Sequence, residues 1–177
     1  MSALVKRLAA AGSLIAAGAA LVLVPSPAYA DTVTVNYSCE IPLSGTQTGD
    51  VEVTITAPAT ATVGETVDVT VTTGPIPILP PIDLDAGSVT PSGEVTVSGA
   101  QTGAVAVTGT PNPEPYPANQ PVQLTALTGQ LTLTTAGEVQ LSPGAVNATA
   151  TTIFGTFTIP CVPTATPTPV AAVISVS

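Results

Sequence analysis

The chain has 177 residues with 11 acidic and two basic side chains, no histidine, and a formal net charge of −9. The two bases are Lys6 and Arg7, so no cationic side chain follows residue 7. Phosphate backbones and anionic lipids repel such a chain. We therefore expect no nucleic-acid binding and no polybasic docking to membranes.

Residues 1–30 are typical of a secretory signal peptide. After the two basic residues comes an apolar run from Leu8 to Val24, and Ala28-Tyr29-Ala30 matches a small-x-small cleavage site. The alternative is a retained membrane anchor, but the run is at the short limit for a spanning helix and prolines follow it. We expect cleavage before Asp31, export to the medium or cell surface, and no stable membrane insertion afterwards.

Residues 31–162 are predicted to form one β-sandwich domain. Apolar residues alternate with threonine and other polar residues from Val33 to Cys39, from Val51 to Ile55 and from Val67 to Val71, and the same period of two returns up to Cys161. This alternation is typical of strands with one buried face. Glycine-containing turns separate the runs, and no helical period is present. We expect an antiparallel, immunoglobulin-like sandwich of about eight to ten strands.

Cys39 and Cys161 are the only two cysteines, and in an exported chain they predict one disulfide. Each shares its parity with apolar neighbours, so both sulfurs should face inward and join the first predicted strand to the last. The alternative is a redox or metal pair, but there is no CxxC, and zinc needs more Cys or His than the chain has. A bridge closing a loop of roughly 120 residues should stabilise the fold by about 4–5 kcal/mol.

Two proline-rich stretches, Gly74 to Asp83 and Pro111 to Pro121, interrupt the pattern. Prolines lack the backbone donor of a central strand, so these stretches are predicted to be surface loops. Residues 163–177 are predicted as a Thr/Pro-rich tail that becomes apolar from Val170 to Val176. This tail is either disordered or a last strand added to a sheet edge.

The stretch from Tyr37 to Gly45 has the form Y-x-C-x-x-P-x-x-G, and Ile159-Pro160-Cys161 ends the predicted domain. Together with Val63-Gly64-Glu65-Thr66, these motifs resemble a family of secreted actinobacterial proteins with an immunoglobulin-like sandwich. The resemblance covers roughly residues 32–162. It implies export, the disulfide and the fold. The family has no assigned activity, so it supplies no catalytic residues.

Most catalytic chemistry lacks its side chains here. Without His, Lys or Arg after residue 7, there is no Ser–His, Cys–His or Ser–Lys nucleophile, no phosphate-loop lysine and no Schiff base. Carboxylate pairs hydrolyse glycosides, but only Tyr116 and Phe154 remain outside the predicted core as a sugar platform. Asp85-Ala86-Gly87 resembles half of an aspartic-protease site, without its second half. We expect no catalytic residues and no enzyme.

Asp83 and Asp85, with Gly87, are the candidate metal-ligating residues, since they form a fragment of a calcium loop. A complete loop needs about six or seven oxygen ligands, including a bidentate glutamate, which is missing here. The alternative is two solvated loop acids beside the apolar stretch from Ile76 to Ile82. No cofactor is expected.

The favoured hypothesis is an exported, non-enzymatic structural or interaction protein of the cell exterior, with an unidentified protein or cell-wall partner. The alternatives are a small-molecule or calcium-binding module and a hydrolase that uses carboxylates alone. Lysines usually protect exposed sheet edges, and this chain has none there. We therefore expect self-association that increases with salt, because salt screens the repulsion between acidic copies.

Overall fold

The computed structural model of the chain describes residues 28–42, 44–76 and 78–177, so the predicted leader up to residue 27 lies outside the described residues. The described part contains strands and no helix. The prediction of an antiparallel all-β sandwich of about eight to ten strands is confirmed. The ten strands are β1 (Ala28–Ile41), β2 (Gly45–Pro58), β3 (Thr60–Ala61), β4 (Thr66–Thr73), β5 (Val89–Gly99), β6 (Gly103–Gly109), β7 (Leu127–Thr132), β8 (Gly137–Thr152), β9 (Gly155–Pro163) and β10 (Ala172–Val176).

The residues that alternate in the sequence lie on opposite faces of each strand, with the apolar ones buried and the polar ones at the surface. In β2, Val53 and Ile55 are buried while Glu52 is exposed. On the outer face, threonines of neighbouring strands meet, and the hydroxyl oxygens of Thr32 and Thr54 lie 2.6 Å apart. Valine and threonine are both β-branched and suit this pleated, half-buried environment.

The strand pairings form a closed circuit. The order runs β8–β5–β6–β7–β4–β2–β1–β9, and β9 pairs again with β8. All of these pairings are antiparallel. Outside the circuit, β10 pairs with β8, and the order ends at the two-residue β3, which is parallel to β10. Apart from that end, each described strand has a partner on both sides along at least part of its length.

β8 is long enough to serve two neighbours on one edge. Its first residues, Gly137 to Leu141, pair with β10, and Val146 to Thr152 pair with β9. Between these segments β5 is irregular, with a register shift between Gly93 and Val95. A Cβ on the facing Gly144 would lie 2.6 Å from the Glu94 carbonyl oxygen, so this close approach requires glycine.

The end of the chain, from Ala171 to Val176, contributes side chains to the core. In β10 Ala172 and Ile174 are fully buried, and so is Ala171 just before it. Of the two alternatives for this segment, the structure has the added last strand. The sandwich therefore extends past residue 162, and β10 rather than β9 is its final strand. At the other end, β1 starts at Ala28, so cleavage before Asp31 would leave the strand from Asp31 onward.

The predicted disulfide between Cys39 and Cys161 is present. The two cysteines face each other directly in the β1–β9 pairing, with their Cα atoms 4.0 Å apart, and both side chains are buried. This pairing is short, since it joins only Tyr37, Ser38 and Cys39 of β1 to β9. The bridge therefore reinforces one of the shortest junctions of the circuit with a covalent bond.

Removing the bridge should destabilise the protein strongly. We expect the double variant Cys39→Ser, Cys161→Ser to lose about 4 kcal/mol of unfolding free energy, because the unfolded chain regains the entropy of a long open loop. Urea denaturation of the exported protein measures this loss. A reductant should shift the wild type to the same midpoint and leave the variant unchanged. Equal midpoints for wild type and variant under oxidising conditions would contradict the expectation.

Candidate functional site

An apolar cavity of about 200 Å³ lies at the end of the sandwich where β4 ends. One wall consists of inward side chains of β1, β2 and β4, and the opposite wall of those of β8 and β9. Of all the lining residues, only Tyr37, Thr73, Glu94 and Thr152 carry polar groups. The aliphatic and aromatic lining of the two walls includes Ile41, Val51, Val53, Val71, Val146, Ala148, Ala150, Phe157 and Ile159.

The two proline-rich segments cover this cavity. Residues 74–84, of which 77 is outside the described part, and residues 111–122 run antiparallel and are together called the cover. Backbone hydrogen bonds join Ile76 to Val122 and Leu84 to Tyr116. The segments therefore satisfy each other's backbone groups away from the main circuit. They were predicted as surface loops, but the first also points apolar side chains, including Ile76 and Leu84, into the cavity.

Asn112 holds the cover to the sandwich. Its side chain is 2% exposed, and its Oδ1 accepts a hydrogen bond of 2.7 Å from the Val89 backbone nitrogen. Its Nδ2 donates to the carbonyl oxygens of Asp85 at 2.9 Å and of Glu114 at 2.7 Å. One buried amide thus joins β5, the loop after the first cover segment and the second cover segment. The sequence offers no sign of this role, because an asparagine between two prolines is typical of any turn.

Among the buried side-chain polar atoms of the described residues, one at the cavity lining, that of Thr73, lacks a hydrogen-bond partner. Its Oγ1 is buried and has no hydrogen-bond partner among the described residues. The hydroxyl of Tyr37, by contrast, donates to the Gly144 carbonyl oxygen at 2.9 Å, and burial raises the pKa of Tyr37 to about 12. A buried hydroxyl without a partner carries an energetic penalty that a ligand with a hydrogen-bonding group would relieve.

Of the candidate metal ligands, Asp83 lies in the cover and Asp85 directly follows its first segment. The Asp83 carboxylate accepts a hydrogen bond of 2.7 Å from the Ala118 backbone nitrogen, and Asp85 contributes its carbonyl oxygen to Asn112. Both side chains are exposed. In residues 28–177, apart from 43 and 77, no group of three or more His, Cys, Asp or Glu is placed to hold a metal ion. The two acids have structural partners, and calcium binding there stays a prediction.

The groups at the cavity wall define its chemical character. The cavity wall carries no histidine, lysine or arginine, and its cysteines are paired in the disulfide. Burial raises the pKa of Tyr116 as well as that of Tyr37, so these phenols stay protonated near neutral pH. An apolar enclosure of this kind favours an uncharged guest. Within the described part, no helix has the length and apolar character needed to cross a membrane.

Comparison of the chain with protein-family models, curated proteins and solved structures finds no match. The resemblance to secreted actinobacterial proteins therefore stays a prediction. The cavity itself also went unpredicted from the sequence. Its one visible signal was the apolar composition of the first proline-rich stretch, from Ile76 to Ile82, which is unusual for a fully solvated loop.

Replacing the buried amide of Asn112 should loosen the cover. We expect Asn112→Asp to lower the unfolding free energy by about 2–3 kcal/mol, because a carboxylate there would face the Asp85 and Glu114 carbonyl oxygens with no donor. The matched control is Asn119→Asp, which makes the same charge change at an exposed position. Thermal denaturation at neutral pH compares the two, and equal melting temperatures would contradict the assigned role.

The raised pKa of Tyr37 predicts a loss of stability at alkaline pH. The folded protein holds this proton more tightly than the unfolded chain, whose tyrosine has a pKa near 10. Stability is therefore complete below pH about 10 and falls as the pH rises towards 12, by on the order of 2–3 kcal/mol. Urea midpoints measured across this range should fall steeply in the wild type and in Tyr116→Phe. If the urea midpoint of Tyr37→Phe fell with pH as steeply as that of the wild type, the loss of stability would not be due to Tyr37.

Proposed function

We propose that the protein is an exported, non-enzymatic binding protein of the cell exterior that takes a small uncharged, apolar molecule into the cavity between β1–β2–β4 and β8–β9. The observation that carries this proposal is a partly open volume of about 200 Å³ that is lined almost entirely by apolar side chains. For comparison, an apolar protein cavity of about 150 Å³ stays dry and binds benzene.

The volume limits the size of the ligand. Pockets for drug-sized molecules enclose roughly 300–1,000 Å³. A cavity of about 200 Å³ therefore suits a single ring, a small fused ring system or one short hydrocarbon chain. Thr73 lines the cavity, and a rotation of its side chain would bring the unpartnered Oγ1 to a ligand that has one hydrogen-bonding group.

Export is supported by the predicted leader of residues 1–30 and by the disulfide, which forms and persists in oxidising compartments. The acidic character of the chain adds to the proposal, because it disfavours anionic guests and partners. A cell-wall or protein partner stays a prediction. Self-association through strand edges also stays a prediction, and the closed circuit leaves the two-residue β3 as the end of the strand order.

Calorimetric titration with toluene and p-cresol tests the binding site. We expect one site with a dissociation constant of about 0.1–1 mM for toluene. Thr73→Val should lower the affinity for p-cresol relative to toluene by about fivefold, because the hydroxyl loses its hydrogen-bond partner. Thr72→Val is the matched control. It removes a hydroxyl from the exposed face of the same strand and should leave both affinities unchanged.

A filled cavity provides the opposing test. Ala148→Phe should place a ring in the cavity and abolish toluene binding, whereas Ala104→Phe on the exposed face of β6 should not. Melting curves without ligand show whether each variant folds, and the smaller Ala150→Leu replaces Ala148→Phe if the latter is unfolded. The proposal fails if the wild type binds no toluene or if the folded, filled variant binds it as well as the wild type.

A further inference from the structure

The turn between β8 and β9 contains two solvent-exposed apolar side chains. Ile153 is 92% exposed and Phe154 is 72% exposed, the two highest values among the exposed large apolar side chains of the described residues. They lie between Thr152 and Gly155, the last residue pair of the hairpin. In an ordinary solvated turn, polar residues would occupy these positions.

Local hydrogen bonds hold this turn in a defined shape. The Thr152 hydroxyl accepts a hydrogen bond from the Phe154 backbone nitrogen at 3.1 Å and donates to the Gly155 carbonyl oxygen at 3.3 Å. Gly155 has a φ of 120°, which side-chain-bearing residues rarely adopt. The two apolar side chains therefore project from a pre-organised turn, and their exposure is a built feature of the hairpin.

The turn lies at the cavity. Phe154 and Ile82 both line the cavity, and Ile82 and the nearby Leu79 of the cover are 39% and 40% exposed. Of the seven exposed large apolar side chains of the described residues, four therefore lie in the turn and the cover, whereas Val63, Val162 and Val170 lie elsewhere. Apolar side chains exposed in this way are candidates for an interaction surface.

We propose that this turn docks on an uncharged or zwitterionic lipid surface, with Ile153 and Phe154 entering the hydrocarbon. A stable protein interface buries about 800 Å² on each partner. One aromatic side chain buries only about 150–250 Å², so a two-residue turn falls short of that area. Lipid hydrocarbon surrounds any side chain that enters it, so docking on lipid does not require a minimum interface area. Repulsion between copies of an acidic chain also disfavours a second copy as the occupant.

Charge selects the headgroup. No cationic side chain occurs among the described residues, and Asp83 and Asp85 follow Ile82 along the chain. Anionic headgroups would be repelled, whereas zwitterionic or uncharged ones would not. Docking by two side chains is shallow and reversible, so it agrees with the expectation of no stable membrane insertion. It goes beyond the cavity function and does not require the cavity to be filled.

Tryptophan fluorescence tests the docking directly, because the chain contains no tryptophan. In the exported variant Phe154→Trp, phosphatidylcholine vesicles should shift the emission to shorter wavelength as the indole enters hydrocarbon. The matched control is Val63→Trp, at a position 49% exposed in the turn before β4, away from the cavity. Any contribution from residues outside the described part is common to both variants. No shift in Phe154→Trp, or an equal shift in Val63→Trp, would overturn the proposal.

Vesicle flotation measures the contribution of each side chain. Ile153→Ser and Phe154→Ser should each lower the partition coefficient on phosphatidylcholine vesicles by at least about tenfold. Adding phosphatidylglycerol should weaken binding of the wild type, and salt should restore it. Tighter binding to the anionic vesicles would contradict the charge argument. If the wild type does not bind vesicles, and sedimentation shows that it forms a dimer which Phe154→Ser does not form, the turn binds a second copy instead of lipid.

The toluene titration of the wild type tests the cavity function independently of all these outcomes.

Discussion

The closure of the strand circuit at β9 is the constraint on which the rest of the structure depends. β9 pairs with β8 along its length but with β1 through only a few residues, and the Cys39–Cys161 bridge lies within that short pairing. Both cysteines line the cavity. Separation of β9 from β1 would therefore open the cavity wall and expose the apolar interior. One covalent bond maintains the circuit and the cavity together.

The sequence predicted what local alternation controls and missed what depends on long-range pairing. The period of two placed Val53, Ile55 and Cys39 on inner faces, because successive side chains of a strand point to opposite sides. The pairing of β9 with both β8 and β1, which closes the circuit, has no signal in the local sequence. The cover went unpredicted for a related reason. Prolines excluded it from a central strand, but Ile76 and Leu84 still face inward because the two segments pair with each other.

The polar groups near the cavity divide into those used by the fold and those left over. The amide of Asn112 joins the cover to β5, and the hydroxyl of Tyr37 donates to the Gly144 carbonyl oxygen of β8. Thr73 Oγ1 is left without a partner in an enclosure that has no cation. The exposed Ile153 and Phe154 lie nearby, and together with the mainly apolar lining they support the proposed binding of an uncharged, apolar molecule.

The most direct measurement of the central claim is intermolecular nuclear Overhauser spectroscopy on the exported protein with bound p-cresol. The account predicts contacts from the ring protons to the methyl groups of Val71, Ile78 and Val146, which line the cavity from β4, the cover and β8. Contacts confined to surface methyl groups such as those of Val63 and Val170, or no contacts at all, would show that the cavity is not a binding site.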